Sequence, residues 1–347
     1  MTPHNVVHVV VPDAVYDPLR PSGGNRYDRA VCDHLADVGW QVHVHPIPDA
    51  WPRLRRAGCE ALGRSLSHIP DGSVVLVDGL LAEGSAPALV PVAGRVSLVV
   101  LVHAPPAAVG IGAEVLAAAR AVIATSGWLR EELLCSYPLR RDRVQVAEPG
   151  VHPSAIASGT PNGTELLCVA AVAHGKGQDV LLAALGSLAH RRWHCRCVGP
   201  LDREPQFVAE LRRQAQLDGM DTRVEFTGPR TGPDLEAAFC SADVLVHPAR
   251  VEAYGMVVTE ALAHGLPVIT TASGGLPDAL GAAPDGVRPG LLVPAGDAPA
   301  LAHAISAWLT YDDLRRRLRR AARARRRGLP SWAMTVEQIE QVLQAVA

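Results

Sequence analysis

The stretch from Val244 to Leu280 reads VLVHPARVEAYGMVVTEALAHGLPVITTASGGLPDAL. It opens with a short apolar run, Val244–His247, stopped by Pro248, which has the length and side chains of a buried strand. A loop carrying Glu252 follows. After Gly255, apolar residues recur at helical spacing through Glu260 to His264, and Gly265 and Pro267 close the helix. Pro267–Thr271 reads as a second strand, and Ser273-Gly274-Gly275 opens a further helix. Gly255 lets the backbone approach a ligand closely. The amides of Gly255, Met256 and Val257 then stand at a helix N-terminus, where a diphosphate binds well. Glu260 lies one to two turns into that helix and Glu252 on the loop before it. Two carboxylates flanking a phosphate site are suited to accept hydrogen bonds from hydroxyls, such as those of ribose and a sugar.

The same alternation of strand and helix runs outward in both directions. Strands are expected at Val6–Val11, Gln41–His45, Ser73–Val77, Ser97–His103, Ala121–Ala124 and Arg143–Val146, with helices at Asn25–Val38, Pro52–Ser67 and Trp128–Cys135. Residues 154–164, polar and punctuated by Gly and Pro, read as a linker. Strands resume at Glu165–Ala171, His194–Val198, Val224–Thr227 and Gly290–Val293, interleaved with helices at Gln178–His190, Pro205–Asp218, Pro233–Ser241 and Ala298–Thr310. This is the rhythm of βαβ units. It predicts an α/β chain of two doubly wound parallel-sheet domains facing a central cleft. Their bounds are 1–153 and 165–328, and a last helix in 329–347 packs back toward the first domain.

Composition agrees with two cores and excludes other classes. The chain has 347 residues, of which 48% are apolar and 20% charged, enough for two domains. Aromatics at 4% and a net charge of −2 argue against nucleic-acid binding. The longest apolar runs, such as Val96–Val102, fall far short of the roughly 20 residues of a membrane span. Seven cysteines, an odd number with no C-x-x-C, suggest neither disulfides nor a zinc ribbon. With no signal-peptide pattern at the N-terminus, a cytoplasmic location is the expectation. P-loop, dinucleotide, α/β-hydrolase and H-E-x-x-H motifs are missing. His4 and His8, on one strand face about 13 Å apart, are too distant to share a metal, so no metal site is expected.

Two features of the basic residues stand out. Lys176 is the sole lysine, followed by Gly177 after the first strand of the second domain. Nine arginines fall between Arg315 and Arg327 on nearly every face of a helix. That helix reads as a solvated edge or as a surface for anionic lipid or a polyanion.

Glu252-x7-Glu260, with Ala261-Leu262-Ala263-x-Gly265-x-Pro267-Val268 and Gly274-Gly275, resembles the family 4 retaining glycosyltransferases of GT-B fold. Supporting pieces stand in the family's order: Ser22-Gly23-Gly24 after the first strand, His103 in Val102-His103-Ala104-Pro105, Thr125-Ser126-x-Trp128, Pro149-Gly150-Val151, Lys176-Gly177, and Val224-x-Phe226-Thr227-Gly228. The resemblance implies a two-domain, Rossmann-like, metal-independent enzyme with no cofactor. It would move a sugar from a nucleoside-diphosphate sugar, most simply UDP-linked, to a hydroxyl acceptor held by the first domain. By the same resemblance Lys176 contacts the donor phosphates and the Gly255–Val257 amides the diphosphate, with Gly228 and Tyr254 in the donor site. Glu260 takes the ribose, Glu252 the transferred sugar, His103 the sugar from the other domain, and Gly23 and Gly24 the diphosphate. His103, Lys176 and Glu252 are the expected catalytic residues.

One departure matters. The family's Gly-Arg-x-x-x-x-Lys-Gly pattern has Ala170 and Ala171 here in place of Gly-Arg, leaving His174, Arg230 or Arg250 to supply the missing cation. Two other readings stay open. One is a lipid glycosyltransferase at a membrane surface, held by Arg315–Arg327. The other is a protein that binds nucleotide sugar without turnover. The oligomeric expectation is a monomer or homodimer.

Overall fold

The computed structural model describes residues 5–17, 20–48, 56–82, 84–106 and 112–347. The chain divides into two compact units, each with its own six-stranded sheet. The first unit contains Ser22–Gly150, the N-terminal strand and Pro330–Ala347, and the second contains Val151–Leu329.

In the first unit the strands are β1 (Val6–Pro12), β2 (Gln41–Ile47), β3 (Val74–Asp78), β4 (Ser97–Val102), β5 (Ala121–Ala124) and β6 (Val144–Val146). They pair in parallel in the order β2-β1-β3-β4-β5-β6. Central strands β3, β4 and β5 are buried throughout, as expected of strands covered on both faces. Edge strand β2 is buried only at Ile47 and carries Pro46, a residue that only an edge strand accommodates without losing a ladder bond. The winding reverses between β1 and β3, and ligands of such sheets bind beyond the carboxyl ends of the strands at that reversal.

In the second unit the strands are β7 (Glu165–Val169), β8 (His194–Val198), β9 (Val224–Gly228), β10 (Val244–His247), β11 (Val268–Thr271) and β12 (Gly290–Val293). Their order is β12-β11-β10-β7-β8-β9, again parallel. This is the order of a dinucleotide-type doubly wound sheet, and the reversal falls between β7 and β10. Apolar cores form around Leu185, Phe207, Ile305 and Trp308 and around Phe239, Leu245, Leu262 and Leu276. Each such fully buried side chain contributes roughly 1.5–3 kcal/mol.

Several expected bounds shift. The strand expected to run through His103 ends at Val102, and Arg143 belongs to a 3-10 turn rather than to β6. The helix expected at Gln178–His190 ends at Gly186. Residues 52–55 of the helix expected at Pro52–Ser67 lie outside the described residues, and the rest forms Arg56–Ser67. Gly23 and Gly24 belong to the first turn of helix Gly23–Asp37, capped by Ser22 Oγ accepting from Asn25 N at 3.0 Å. That cap outweighs the low helix propensity of two glycines.

Residues 154–164 are packed on the second unit rather than free between units. Asp243, 1% exposed, accepts from Thr160 N at 2.6 Å, Thr160 Oγ1 at 2.5 Å and Glu165 N at 2.9 Å. Ala157 N donates to His264 O and Trp308 Nε1 to Gly163 O. Composition marks such a stretch as irregular backbone, but buried partners decide whether it is held. The arginine-rich helix, Asp312–Arg325, is likewise docked. Arg315 is 8% exposed and donates to Trp308 O. Arg319 pairs with Asp243 at 2.7 Å, and Arg326 donates to the Ala263 and Ser154 carbonyls. The solvated-edge reading therefore fails for Arg315, Arg319 and Arg326. Arg316, Arg317, Arg320, Arg323 and Arg327 are exposed. Among the described residues, no helix is long and apolar enough to cross a membrane.

Candidate active site

In the second unit the reversal between β7 and β10 brings Lys176 and Glu252 together across 76 residues of sequence. Lys176 Nζ donates to Glu252 Oε1 at 2.5 Å, and His247, which ends β10, lies with Nε2 3.1 Å from the same oxygen. The local sequence explains this placement. Gly177 adopts φ +73°, and a Cβ there would come within 2.1 Å of the Pro248 carbonyl, so the turn after β7 can lie directly on the loop after β10. Gly275 N donates to Glu252 O at 2.9 Å and Ser273 Oγ to Arg250 O at 2.7 Å, tying the loop to the Ser-Gly-Gly turn.

Burial pushes the Glu252 carboxyl up, but Lys176 and then His247 outweigh it and hold it at about 2. Glu252 is thus an anion at every physiological pH and accepts hydrogen bonds only. His247 was not anticipated as a site residue. Its only sequence signal is its place at the strand end, five residues before Glu252. Its Nδ1 is buried without a partner.

Helix Met256–Ala263 starts at Gly255, which has φ +97° and no side-chain cap. A Cβ at Gly255 would come within 2.5 Å of Leu276 Cδ2, so the helix N-terminus is set by glycine. Met256 and Val257 are half-buried on the apolar core, and Tyr254 is buried in it. Glu260 lies in the same helix and is half-buried. Gly228 ends β9, three strands from β10 at the far edge of the sheet, and accepts from Gly199 N. The structure thus gathers Lys176, Glu252 and the Gly255 helix start, and places Gly228 apart from them.

The candidates for the missing cation separate clearly. Arg250 is clamped in a two-bonded pair with Asp179, at 3.0 and 2.7 Å, and also donates to His174 O. His174 is paired with Glu204. Arg230 makes no ion pair among the described residues, and its Nε is buried without a partner.

In the first unit the carboxyl ends of β3 and β4 and the start of helix Gly23–Asp37 assemble a second polar group. His103 Nε2 lies 2.8 Å from Asp28 Oδ1. Asp78, at the end of β3, accepts from Leu80 N at 2.7 Å. One carboxylate oxygen from each of Asp28 and Asp78 and one ring nitrogen of His103 all lie within 4.8 Å of one another. Burial pushes the Asp78 carboxyl up, and the neighbouring Asp28 pushes it further, to about 8. Burial drives His103 down, but Asp28 and Asp78 outweigh it and hold the imidazole at about 9. A Cβ on Gly24 would touch the His103 ring at 3.6 Å, so the first turn of the helix and His103 are neighbours. Asp28 and Asp78 were not anticipated, because nothing in the local sequence marks them. Of the histidine pair considered for metal, His4 lies outside the described residues. His8 Nδ1 lies 2.9 Å from His45 Nε2 on the neighbouring strand.

Residues 163–311 match the family described as Glycosyl transferases group 1. D-inositol 3-phosphate glycosyltransferase from Salinispora tropica is 31% identical over 259 residues, which cover 67% of this chain and 53% of that protein. The protein of the same name from Corynebacterium efficiens is 29% identical over 231 residues, covering 61% and 53%. The chain spans about half the length of the curated relatives it matches. Among solved structures, sucrose-phosphate synthase from Thermosynechococcus elongatus superposes with a TM-score of 0.79 at 21% identity, covering 99% of both chains. HepE from Anabaena, solved in complex with UDP-glucose, gives 0.78 at 18% identity over 99% of this chain and 100% of that one. These likenesses show that the fold is GT-B, and the chain resembles the group 1 glycosyltransferases.

Proposed function

We propose that this protein is a retaining glycosyltransferase. It takes a sugar from a nucleoside-diphosphate sugar, UDP-glucose being the first to test, and transfers it to a hydroxyl acceptor. One observation carries the reading: a lysine, an ionised glutamate and a glycine-started helix N-terminus converge at the reversal of a dinucleotide-type sheet. The lysine and the helix amides suit a diphosphate. Glu252 and Glu260 suit hydroxyls. The first unit takes the acceptor. The names of the relatives make a cyclitol phosphate the first acceptor to try.

The bond from the anomeric carbon to the phosphate oxygen breaks as the bond to the acceptor oxygen forms on the same face. The acceptor proton passes to the leaving phosphate. Lys176 leaves Glu252 for the diphosphate as charge develops there, and Glu252 then accepts from a sugar hydroxyl. The chain's contribution is positioning and electrostatic stabilisation of the leaving group. No divalent cation is required in this reading.

Thermal stabilisation by UDP, GDP, ADP and dTDP and their sugar conjugates, with and without EDTA, is the test. A selective, EDTA-insensitive shift, followed by a product of retained anomeric configuration, supports the reading. Loss of transfer in EDTA overturns the metal-free step. Binding without transfer to any acceptor favours a nucleotide-sugar-binding protein. That outcome fits Ala171, with Arg250 and His174 already engaged by neighbours.

A further inference from the structure

The Asp28, Asp78 and His103 cluster does more than place one histidine near a substrate. Asp28 is 1% exposed and Asp78 4%, and the His103 side chain keeps 13% exposure. A buried carboxylate is costly unless it faces an opposite charge. Among the described residues, the one ion pair Asp28 makes is to His103. Its second oxygen, Oδ2, is buried with no partner. Asp78 offers the other carboxyl of the cluster, and two carboxyls this close do not both ionise. An ion-paired Asp28 and His103 beside a neutral Asp78 balances the charge of the cluster. The walls hold this arrangement in place. Tyr27 meets the His103 ring edge-on with centroids 5.1 Å apart, and its hydroxyl donates to Ala147 O at 2.9 Å. Trp332 of the C-terminal helix, Trp332–Val346, packs against Tyr27 in turn.

We propose that Asp28 is a positioning residue that, with the proton of Asp78, keeps His103 protonated on both nitrogens, so that His103 gives substrate a hydrogen-bond donor and not a base. This rests on the glycosyl-transfer reading of the site. Nε2–H is committed to Asp28, which leaves Nδ1–H for a substrate oxygen. A neutral His103 with its proton on Nε2 would instead present a lone pair on Nδ1 and compete for the acceptor proton. The neighbouring Tyr27 and Cys32 stay neutral. Burial, then Asp28, pushes the Tyr27 hydroxyl well above 10, and burial, then Asp28 and Asp33, pushes the Cys32 thiol to about 12. Trp332, which the C-terminal helix packs against Tyr27, carries no titratable group.

The test pairs a titration with kinetics. His103 ring resonances, assigned by their loss in His103→Gln, are followed against pH by NMR in wild type and Asp28→Asn. Wild-type His103 is expected to titrate more than one unit above an ordinary histidine, and in Asp28→Asn at or below the ordinary value. Turnover of Asp28→Asn is expected to fall about 10–100-fold, the effect of losing a charge-assisted contact, while donor affinity measured by thermal shift changes less than about twofold. If Asp28→Asn does not fold, Asp78→Asn, whose amide replaces the neutral acid, takes its place: His103 is expected to titrate above an ordinary histidine in it, and a fall to the ordinary value overturns the proposal. The proposal is overturned by wild-type His103 titrating at or below the ordinary value, or by Asp28→Asn with wild-type turnover and pH profile. It is equally overturned by a stoichiometric divalent cation in wild type that is lost in His103→Gln. Should wild type bind no donor, the reading of the function falls, while the titration still decides the state of His103.

Discussion

The two units carry mirror-image charge clusters at the same place in their sheets. In the first, one imidazole stands among two carboxyls, and the cluster holds protons. In the second, one carboxylate stands between a lysine and a histidine, and the cluster repels a proton. Both occupy the carboxyl ends of strands at the reversal of winding, so the fold supplies the location and not the sign. The sign comes from single residues: Asp28 and Asp78 on one side, Lys176 and His247 on the other. One architecture thus provides a donor poised for neutral oxygens and an anion poised for hydroxyls.

The largest expected effect comes from the second unit. Lys176→Ala removes the only lysine and leaves Glu252 without its main partner. Turnover should fall about 10²–10³-fold, the loss typical of one electrostatic group on a developing charge. Steady-state kinetics with a saturating donor checks this, and wild-type turnover would refute the phosphate role.

Next come the two pH limbs, which should be opposite in sign. Glu252 sits at about 2 in the native chain and near 4.5 unfolded. Its contribution, on the order of 3 kcal/mol, is complete above pH 4.5 and is lost as pH falls toward 2. His103 sits at about 9 against 6.5 unfolded. The native state therefore binds more protons between those values, and stability falls as pH rises through them. Asp78, at about 8 against 3.8 unfolded, has the same sign over its own range. Melting curves from pH 3 to 10 should flatten at the acid end in Glu252→Gln and at the alkaline end in His103→Gln. If neither variant changes its limb, the mirror description is wrong.

Asp243→Ala probes whether the second unit's scaffold, as distinct from its site, depends on a buried anion. It strips the carboxylate from Thr160, Glu165 and Arg319. Unfolding stability should drop by about 3–5 kcal/mol, with donor affinity little changed in the fraction that folds. Urea melts decide the first point and donor titration the second.

The smallest effect is expected at the exposed arginines. Replacing Arg316, Arg317 and Arg320 by Ser should alter stability by less than about 0.5 kcal/mol. Sedimentation with anionic vesicles, compared between wild type and this variant, separates a membrane-surface enzyme from one without that attachment. Salt-sensitive binding lost in the variant favours the first.

What the amino-acid sequence determined by itself was local and periodic. The twelve strands among the described residues, the helix that begins at Gly255, and the carboxylates Glu252 and Glu260 on either side of its start follow from apolar spacing and glycine placement over windows of ten to forty residues. The sole lysine was conspicuous by count. The tertiary structure decided what depends on distant pairing. Asp28 meets His103 across 75 residues and Lys176 meets Glu252 across 76, and no local pattern encodes such meetings. The same holds for residues 154–164, irregular in composition yet fastened by Asp243, and for Arg315, basic in composition yet buried against the Trp308 carbonyl. Backbone form follows from short-range sterics and hydrophobic period. The partner of a charge, and so its protonation, is set by whichever groups the finished sheet brings within reach.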